Sequence, residues 1–207
     1  LYGDDRRFYA ASFNEFGYFE KAPGGKYHYK SLSATLDKGS MGSNDLYHII
    51  QGNKKIYFQT EKTIFEYDGS TIKNLVFDYS IDVCAFIHKS LLYTSKEKGA
   101  FLLNGDMSVQ LLGSELLVNK TIVSILPFGA NKILFISRFD GVFVYDGTKI
   151  EPYNTGIDEF LRQNQVFCAT TNGRQLAFGT VQKGVAVMDL NKSQVTFLNT
   201  STGLQNN

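Results

Sequence analysis

Arg138, Phe139 and Asp140 stand side by side and set a fork-shaped donor, an aromatic surface and an acceptor next to one another. That combination suits a sugar or an acidic group. The plainer reading is an Arg–Asp surface pair beside a half-buried ring, and exposed pairs of that kind contribute little. Asn14 and Glu15 form a second polar group that would share a face with the triplet. Glu15, Glu61, Glu97 and Asp140 could pair across that face as glycoside cleavage requires, although solvated loop charges also account for them.

Other chemistry finds little support. The chain has no Gly-x-Ser-x-Gly, no Gly-x-x-x-x-Gly-Lys and no His-Glu-x-x-His. His28, His48 and His88 lie 20 and 40 residues apart, without the short-spaced pair that zinc sites usually contain, so no metal is expected. No cofactor is expected either. Cys84 and Cys168 fall two repeats apart, too far for a disulfide, and read as buried free thiols. Net charge is +1 with both signs dispersed, which excludes the basic stripe of a nucleic-acid binder.

Whatever these residues do, a repeat must position them. Five runs of apolar and β-branched residues end in Ser or Thr: Phe8–Ser12, Ile56–Thr60, Leu91–Ser95, Ile133–Ser137 and Leu176–Thr180. Their ends are 48, 35, 42 and 43 residues apart. A second run follows each, then a turn that in three copies holds Asp68-Gly69, Asn104-Gly105 or Asp146-Gly147, dipeptides that favour two-residue hairpins. A further strand closes each copy. Four copies also begin with an apolar stretch, at 46–50, 83–87, 122–126 and 166–170, expected to be an innermost strand packed on both faces. In the first copy only Leu1 and Tyr2 could serve as its remnant.

Four-stranded meanders at this period define an all-β fold, a β-propeller segment of antiparallel four-stranded blades in an incomplete ring. The blades fall at about 1–32 (partial), 46–76, 81–112, 122–153 and 166–198, with 203–207 as the start of another. Loops between second and third strands share one face with the blade-to-blade connections, and the hairpins occupy the other. Thr155–Asn164, with Ile157, Phe160 and Leu161 at i, i+3 and i+4, predicts a short helix capped by Thr155 on that loop face. The Ser-, Gly- and Lys-rich stretch 31–44 predicts a mobile connection.

Ala11–Glu20 with Tyr27–Leu32, Ile56–Thr60 with Ile64–Gly69, Asn164–Cys168 and Gly203–Asn207 together resemble blades and junctions of the regulator-propeller sensors of Bacteroidetes. The resemblance runs from about Phe8 to the end. The family's repeat often carries Trp before Gly-Thr, whereas this chain has Tyr9, Tyr57, Leu92, Leu134 and Ala177 there and keeps Gly179-Thr180 only in the last copy. The resemblance implies a periplasmic sensor domain of an inner-membrane protein. Its parent would be a hybrid two-component system or a one-component helix-turn-helix regulator with a tyrosine-rich immunoglobulin-like domain. The chain itself would then be non-enzymatic. The implied partners are an oligosaccharide ligand, the adjoining immunoglobulin-like domain of the same parent and a second copy in a homodimer, with no nucleic acid contact. A carbohydrate-active propeller hydrolase or lyase, and a protein-binding scaffold, are the alternatives, since fold alone does not separate them.

Overall fold

The computed structural model describes residues 1–36, 45–105, 107–192 and 194–206. They form one three-stranded and four four-stranded antiparallel sheets, each a meander. The first blade holds β1 (Phe8–Ser12), β2 (Glu15–Lys21) and β3 (Tyr27–Ser31). The second holds β4 (His48–Gly52), β5 (Lys55–Gln59), β6 (Thr63–Tyr67) and β7 (Ile72–Val76). The third holds β8 (Val83–Ile87), β9 (Ser90–Ser95), β10 (Gly99–Asn104) and β11 (Met107–Gln110). In the fourth are β12 (Ile122–Phe128), β13 (Lys132–Ser137), β14 (Val142–Tyr145) and β15 (Ile150–Tyr153). The fifth, reached through α1 (Asp158–Asn164), holds β16 (Val166–Thr171), β17 (Gln175–Thr180), β18 (Val185–Asp189) and β19 (Gln194–Leu198).

Innermost strands are neighbours in succession, β4 to β8, β8 to β12 and β12 to β16, and β1, the second strand of the first blade, lies beside β4. The chain is a β-propeller segment whose five sheets do not close into a ring. In the first blade Leu1 and Tyr2 do act as the remnant of an inner strand. Tyr2 bridges Phe8, and Leu1 exchanges backbone hydrogen bonds with Tyr9 at 2.8 and 3.0 Å.

The period-2 alternation of a strand gives each blade two apolar faces. Residues two and four places before the terminal Ser or Thr look back at the preceding blade, and those one and three places before it look forward. Ile56 and Phe58 therefore meet Tyr9, Phe16 and Tyr18 of the first blade, while Ile133 and Phe135 meet Leu92 and Ala100 of the third. Phe58, Tyr93, Phe135 and Phe178 occupy the same repeat position and are all fully buried. The core is thus four slabs between blades.

Several local expectations need correction. Asp68-Gly69 and Asp146-Gly147 lie in four-residue turns, because Tyr67 pairs with Ile72 and Tyr145 with Ile150. In each, the Asp carboxylate accepts the backbone N–H groups two and three residues on. At Asp146 the Thr148 hydroxyl donates as well and contributes most, and at Asp68 the backbone bonds lead; together they stabilise the ionised forms and hold both carboxyls well below the ordinary range. Two-residue hairpins with both central residues at positive φ occur elsewhere, at Asn53-Lys54 and His88-Lys89, where no glycine announces them.

Cys168 is exposed rather than buried, and β16 is open on one face, because no further sheet among the described residues covers the forward face of the fifth blade. Part of the connection expected to be mobile, Ser33–Thr35, is a 3-10 turn, and 37–44 lies outside the described residues. Gly203–Asn206 forms no strand, and Asn207 is outside the described residues.

Lys54 has φ 60°, a left-handed conformation that costs a side-chain-bearing residue about 1 kcal/mol. Lys54→Gly completes an Asn-Gly turn and is expected to raise stability by up to about 1 kcal/mol. Urea denaturation of the two proteins checks this, with an unchanged or lowered midpoint as the contrary result.

Candidate functional site

The loop face is built on buried hydroxyls. At the end of β13, Ser137 Oγ accepts the N–H groups of Phe139 (3.3 Å) and Asp140 (3.1 Å) and donates to Asp140 Oδ2 (2.7 Å). The loop 138–140 is therefore closed from inside by one side chain. Thr60 and Thr180 do the same for their loops, each donating to and accepting from backbone three or four residues on. This explains why every second strand but the exposed first one ends in a buried Ser or Thr.

Arg138 is fixed on both sides. Its N–H donates to Thr121 O (2.8 Å), and its carbonyl accepts from Val166 N (3.0 Å) at the start of β16. Its guanidinium carbon lies 5.8 Å from the ring centroid of Phe167, within cation–π range. Arg138 Nε is buried and has no partner among the described residues. Phe139 and Phe167 are 48% and 63% exposed, and the Phe167 ring lies against a donor fork that still has hydrogen-bonding capacity.

Asp140 does not pair with Arg138, as the plain surface reading of the triplet would have it. Its Oδ2 is held by Ser137, and its Oδ1 lies 3.8 Å from Lys120 Nζ. Gln165, between α1 and β16, has φ 55° and ψ 100°, a sparsely populated conformation stabilised by Val181 N–H donating to its carbonyl (3.0 Å). The helix begins at Asp158, three residues after the expected cap. Thr155 sits before it, its hydroxyl accepting Ile157 N–H and its own N–H donating to Asp158 Oδ2. Asp158 and Arg162 then stand over Gly141 at the edge of the site.

Asn14 and Glu15 do not join this group. They belong to the first blade, three blades away, where Asn14 takes φ 52° in a two-residue turn. Glu15 accepts Tyr29 O–H at 2.6 Å. Burial would raise its pKa, but hydrogen bonds from Tyr29, Ser31 and Ser33 outweigh it and hold the carboxyl below its ordinary value.

Of the four carboxylates considered for paired chemistry, only Glu61 and Glu97 converge. Ser80 donates its hydroxyl to Glu61 (2.7 Å) and its N–H to Glu97 (3.4 Å). Beneath them Asp82 is pushed up to about 6, chiefly by burial and also by Glu97, with Lys96 opposing. Gln59, fully buried, donates from Nε2 to the carbonyls of Ile81 and Asp82 at 3.3 Å each. Among the described residues no cluster of His, Cys, Asp and Glu could hold a metal ion.

Phe167 and Asp82 are the residues that the sequence did not single out. A register shift between Val166 and Cys168 turns Phe167 outward, and a bulge leaves no mark in a run of apolar letters. Asp82 lies just before the run that begins at Val83, and only its contact with Gln59, 23 positions earlier, distinguishes it.

Fold and loop face together define a propeller module. No protein-family model matches the sequence, and no curated protein matches it either. Solved structures do. The WD40 propeller domain of Doa1 aligns with TM-score 0.67 and 13% identity over 93% of this chain and 64% of that one. A virginiamycin B lyase from Staphylococcus aureus aligns with TM-score 0.64 and 13% identity over 87% and 61%. The extracellular domain of the hybrid two-component system BT3049 from B. thetaiotaomicron aligns with TM-score 0.56 and 15% identity over 72% and 24%. The chain spans less than two thirds of each of these structures. At such identities the likeness shows the propeller fold.

Two outcomes follow from this geometry. Ser137→Ala is expected to lower stability by about 1–3 kcal/mol, the cost of leaving buried loop amides without their acceptor, whereas Ser137→Thr keeps most of it. Denaturant unfolding of both variants checks this. Asp82 binds its proton more tightly folded (about 6) than unfolded (about 3.8), so its contribution makes stability fall as pH rises from about 4 to 6. Asp82→Asn is expected to flatten that slope, and thermal unfolding across the same window would show an unchanged slope if Asp82 were not responsible.

Proposed function

We propose that this chain is the ligand-reading part of a bacterial membrane-spanning signalling protein, lying in the periplasm, and that it takes a carbohydrate on the loop face at Arg138, Phe139 and Phe167. One observation carries the reading. A guanidinium with a buried, unpartnered Nε lies over the exposed Phe167 ring, and the next residue in the chain, Phe139, is exposed as well. A sugar offers hydroxyl acceptors to such a fork and apolar C–H faces to such rings. The likeness to the extracellular domain of a hybrid two-component system supports placing the module outside the membrane. No helix among the described residues is long and apolar enough to cross one.

In this reading the chain does no chemistry. Ligand binding biases two states of the parent through an adjoining immunoglobulin-like domain or a second copy. A second reading, a propeller hydrolase or lyase, draws on Asp82, whose raised pKa beside Glu97 suits a general acid. It requires glycan turnover that Asp82→Asn abolishes.

Calorimetry of the protein against an oligosaccharide panel is expected to give saturable heat with at least one glycan. Phe167→Ala and Arg138→Ala should each weaken it on the order of ten-fold, the loss of one well-formed contact. No heat and no thermal stabilisation by any glycan would remove the carbohydrate reading.

A further inference from the structure

Resting on the carbohydrate reading of the loop face, we propose that the sugar taken there is a uronic acid, whose carboxylate accepts from the Arg138 guanidinium while its ring lies by Phe167. The repeat shows what the fourth blade lacks. In the third blade a cation, Lys96, follows the terminal Ser95 of β9, and the residue just before the innermost strand β8 is Asp82. Asp82 accepts a backbone hydrogen bond from Lys96, and its negative charge is drawn to that of the lysine. The same two places in the fourth blade hold Arg138, after Ser137, and Thr121, before β12. They too are joined through the backbone, Arg138 N–H donating to Thr121 O at 2.8 Å, but Thr121 brings no negative charge. The cation is kept and its carboxylate is not.

The acid nearest in sequence does not replace it. Asp140 Oδ2 accepts from the Ser137 hydroxyl at 2.7 Å and Oδ1 faces Lys120 Nζ at 3.8 Å, so both oxygens are engaged elsewhere. Arg138 makes no ion pair with a described residue, and its buried Nε has no acceptor among them. A neutral sugar would occupy the donors of this fork and leave its charge unanswered. A carboxylate matches both, because its two oxygens fit the planar guanidinium and charge-assisted bonds are roughly twice as strong as neutral ones. The exposed Phe167 ring, its centroid 5.8 Å from the guanidinium carbon, shields one side of the cation from water and offers an apolar surface to the C–H groups of a sugar. A uronic acid presents carboxylate and C–H face on one ring.

Trimers of galacturonate, glucuronate and mannuronate, each titrated beside its carboxyl-reduced counterpart of identical linkage and followed by backbone amide NMR, test the assignment. At least one acidic trimer is expected to give saturable shifts grouped around Phe139 and Phe167, and to bind on the order of ten-fold more tightly than its reduced form. Arg138→Gln keeps a donor for a sugar hydroxyl and removes the cation, so it should bring the acidic trimer level with the neutral one. Phe167→Ala should weaken both alike. Asp140→Asn still accepts from Ser137 but removes a neighbouring negative charge, and should tighten the acid roughly two-fold while leaving the neutral trimer unchanged, a split that a merely structural role would not produce. The uronic-acid assignment is overturned, with the carbohydrate reading intact, if a reduced trimer binds as tightly as its acid, if Arg138→Gln leaves their ratio unchanged, or if only neutral glycans bind at these residues. Both are overturned if no saccharide, acidic or neutral, saturates there.

Discussion

A buried hydroxyl at the end of each second strand is the interaction on which the loop face depends. A strand that reverses between two other sheets must turn its backbone where water cannot reach, and unpaired buried amides are costly. Thr60, Ser137 and Thr180 meet that requirement from within the turn, accepting N–H groups ahead of them and donating onward. Because the reversal is satisfied internally, the tips of the loops are released for other uses. The one blade whose corresponding residue is exposed, at Ser12, turns in two residues and presents no comparable tip.

Packing between blades follows from the same register. With the hydroxyl fixed as the origin, alternate positions are committed to the preceding or the following slab, and a one-residue slip would exchange them all. Phe58, Tyr93, Phe135 and Phe178 then fill the centre of each backward face. The first blade carries Ala10 at that position, and its backward face instead presents Phe8, Phe19, Tyr27 and Tyr29 as exposed rings in mutual contact. The forward face of the fifth blade is likewise small at its centre, with Ala177 and Gly179. Large side chains thus fill the centres of the faces that meet among the described residues, and small ones sit at the centres of the two that do not.

What the sequence made legible was whatever recurs. The strand runs, their order, the loop face and the helix before the fifth blade all follow from period-2 or i, i+3, i+4 spacing, and each copy reinforces the others. What stayed hidden depends on single places where one copy departs from the rest. Asn53-Lys54 and His88-Lys89 form the tight turns without glycine, while the Asp-Gly pairs serve longer ones. Arg138 and Phe139 were visible as a group, but Phe167 joins them through a bulge, and Asp140 is taken by Ser137 and Lys120. Asn14 and Glu15 share the face but not the site, since a shared face of a disc does not bring its opposite blades together.

The junctions are also unequal in a way that bears on how such a module could transmit binding. Between the third and fourth blades an apolar slab runs from Val83 to Ile150, edged by Thr94 and Ser114, whose buried hydroxyls lack a partner among the described residues. Between the second and third it is apolar only in the middle. One end holds Lys55, Glu66 and Lys73, and the other holds Gln59 and Asp82, each with a buried oxygen that lacks a partner among the described residues. Unpaired buried oxygens reduce the net gain from closing a junction, and charged groups at its rim gain hydration when it opens. Unpaired buried oxygens thus lower the cost of separation at both the second and the third junction, and at the second that cost depends on the protonation of Asp82. The fourth junction, beside Arg138, is held by α1 and by the Ser124 hydroxyl accepting Ala169 N–H, so the loop face there rests on a junction tied at more points than its hydrophobic slab alone.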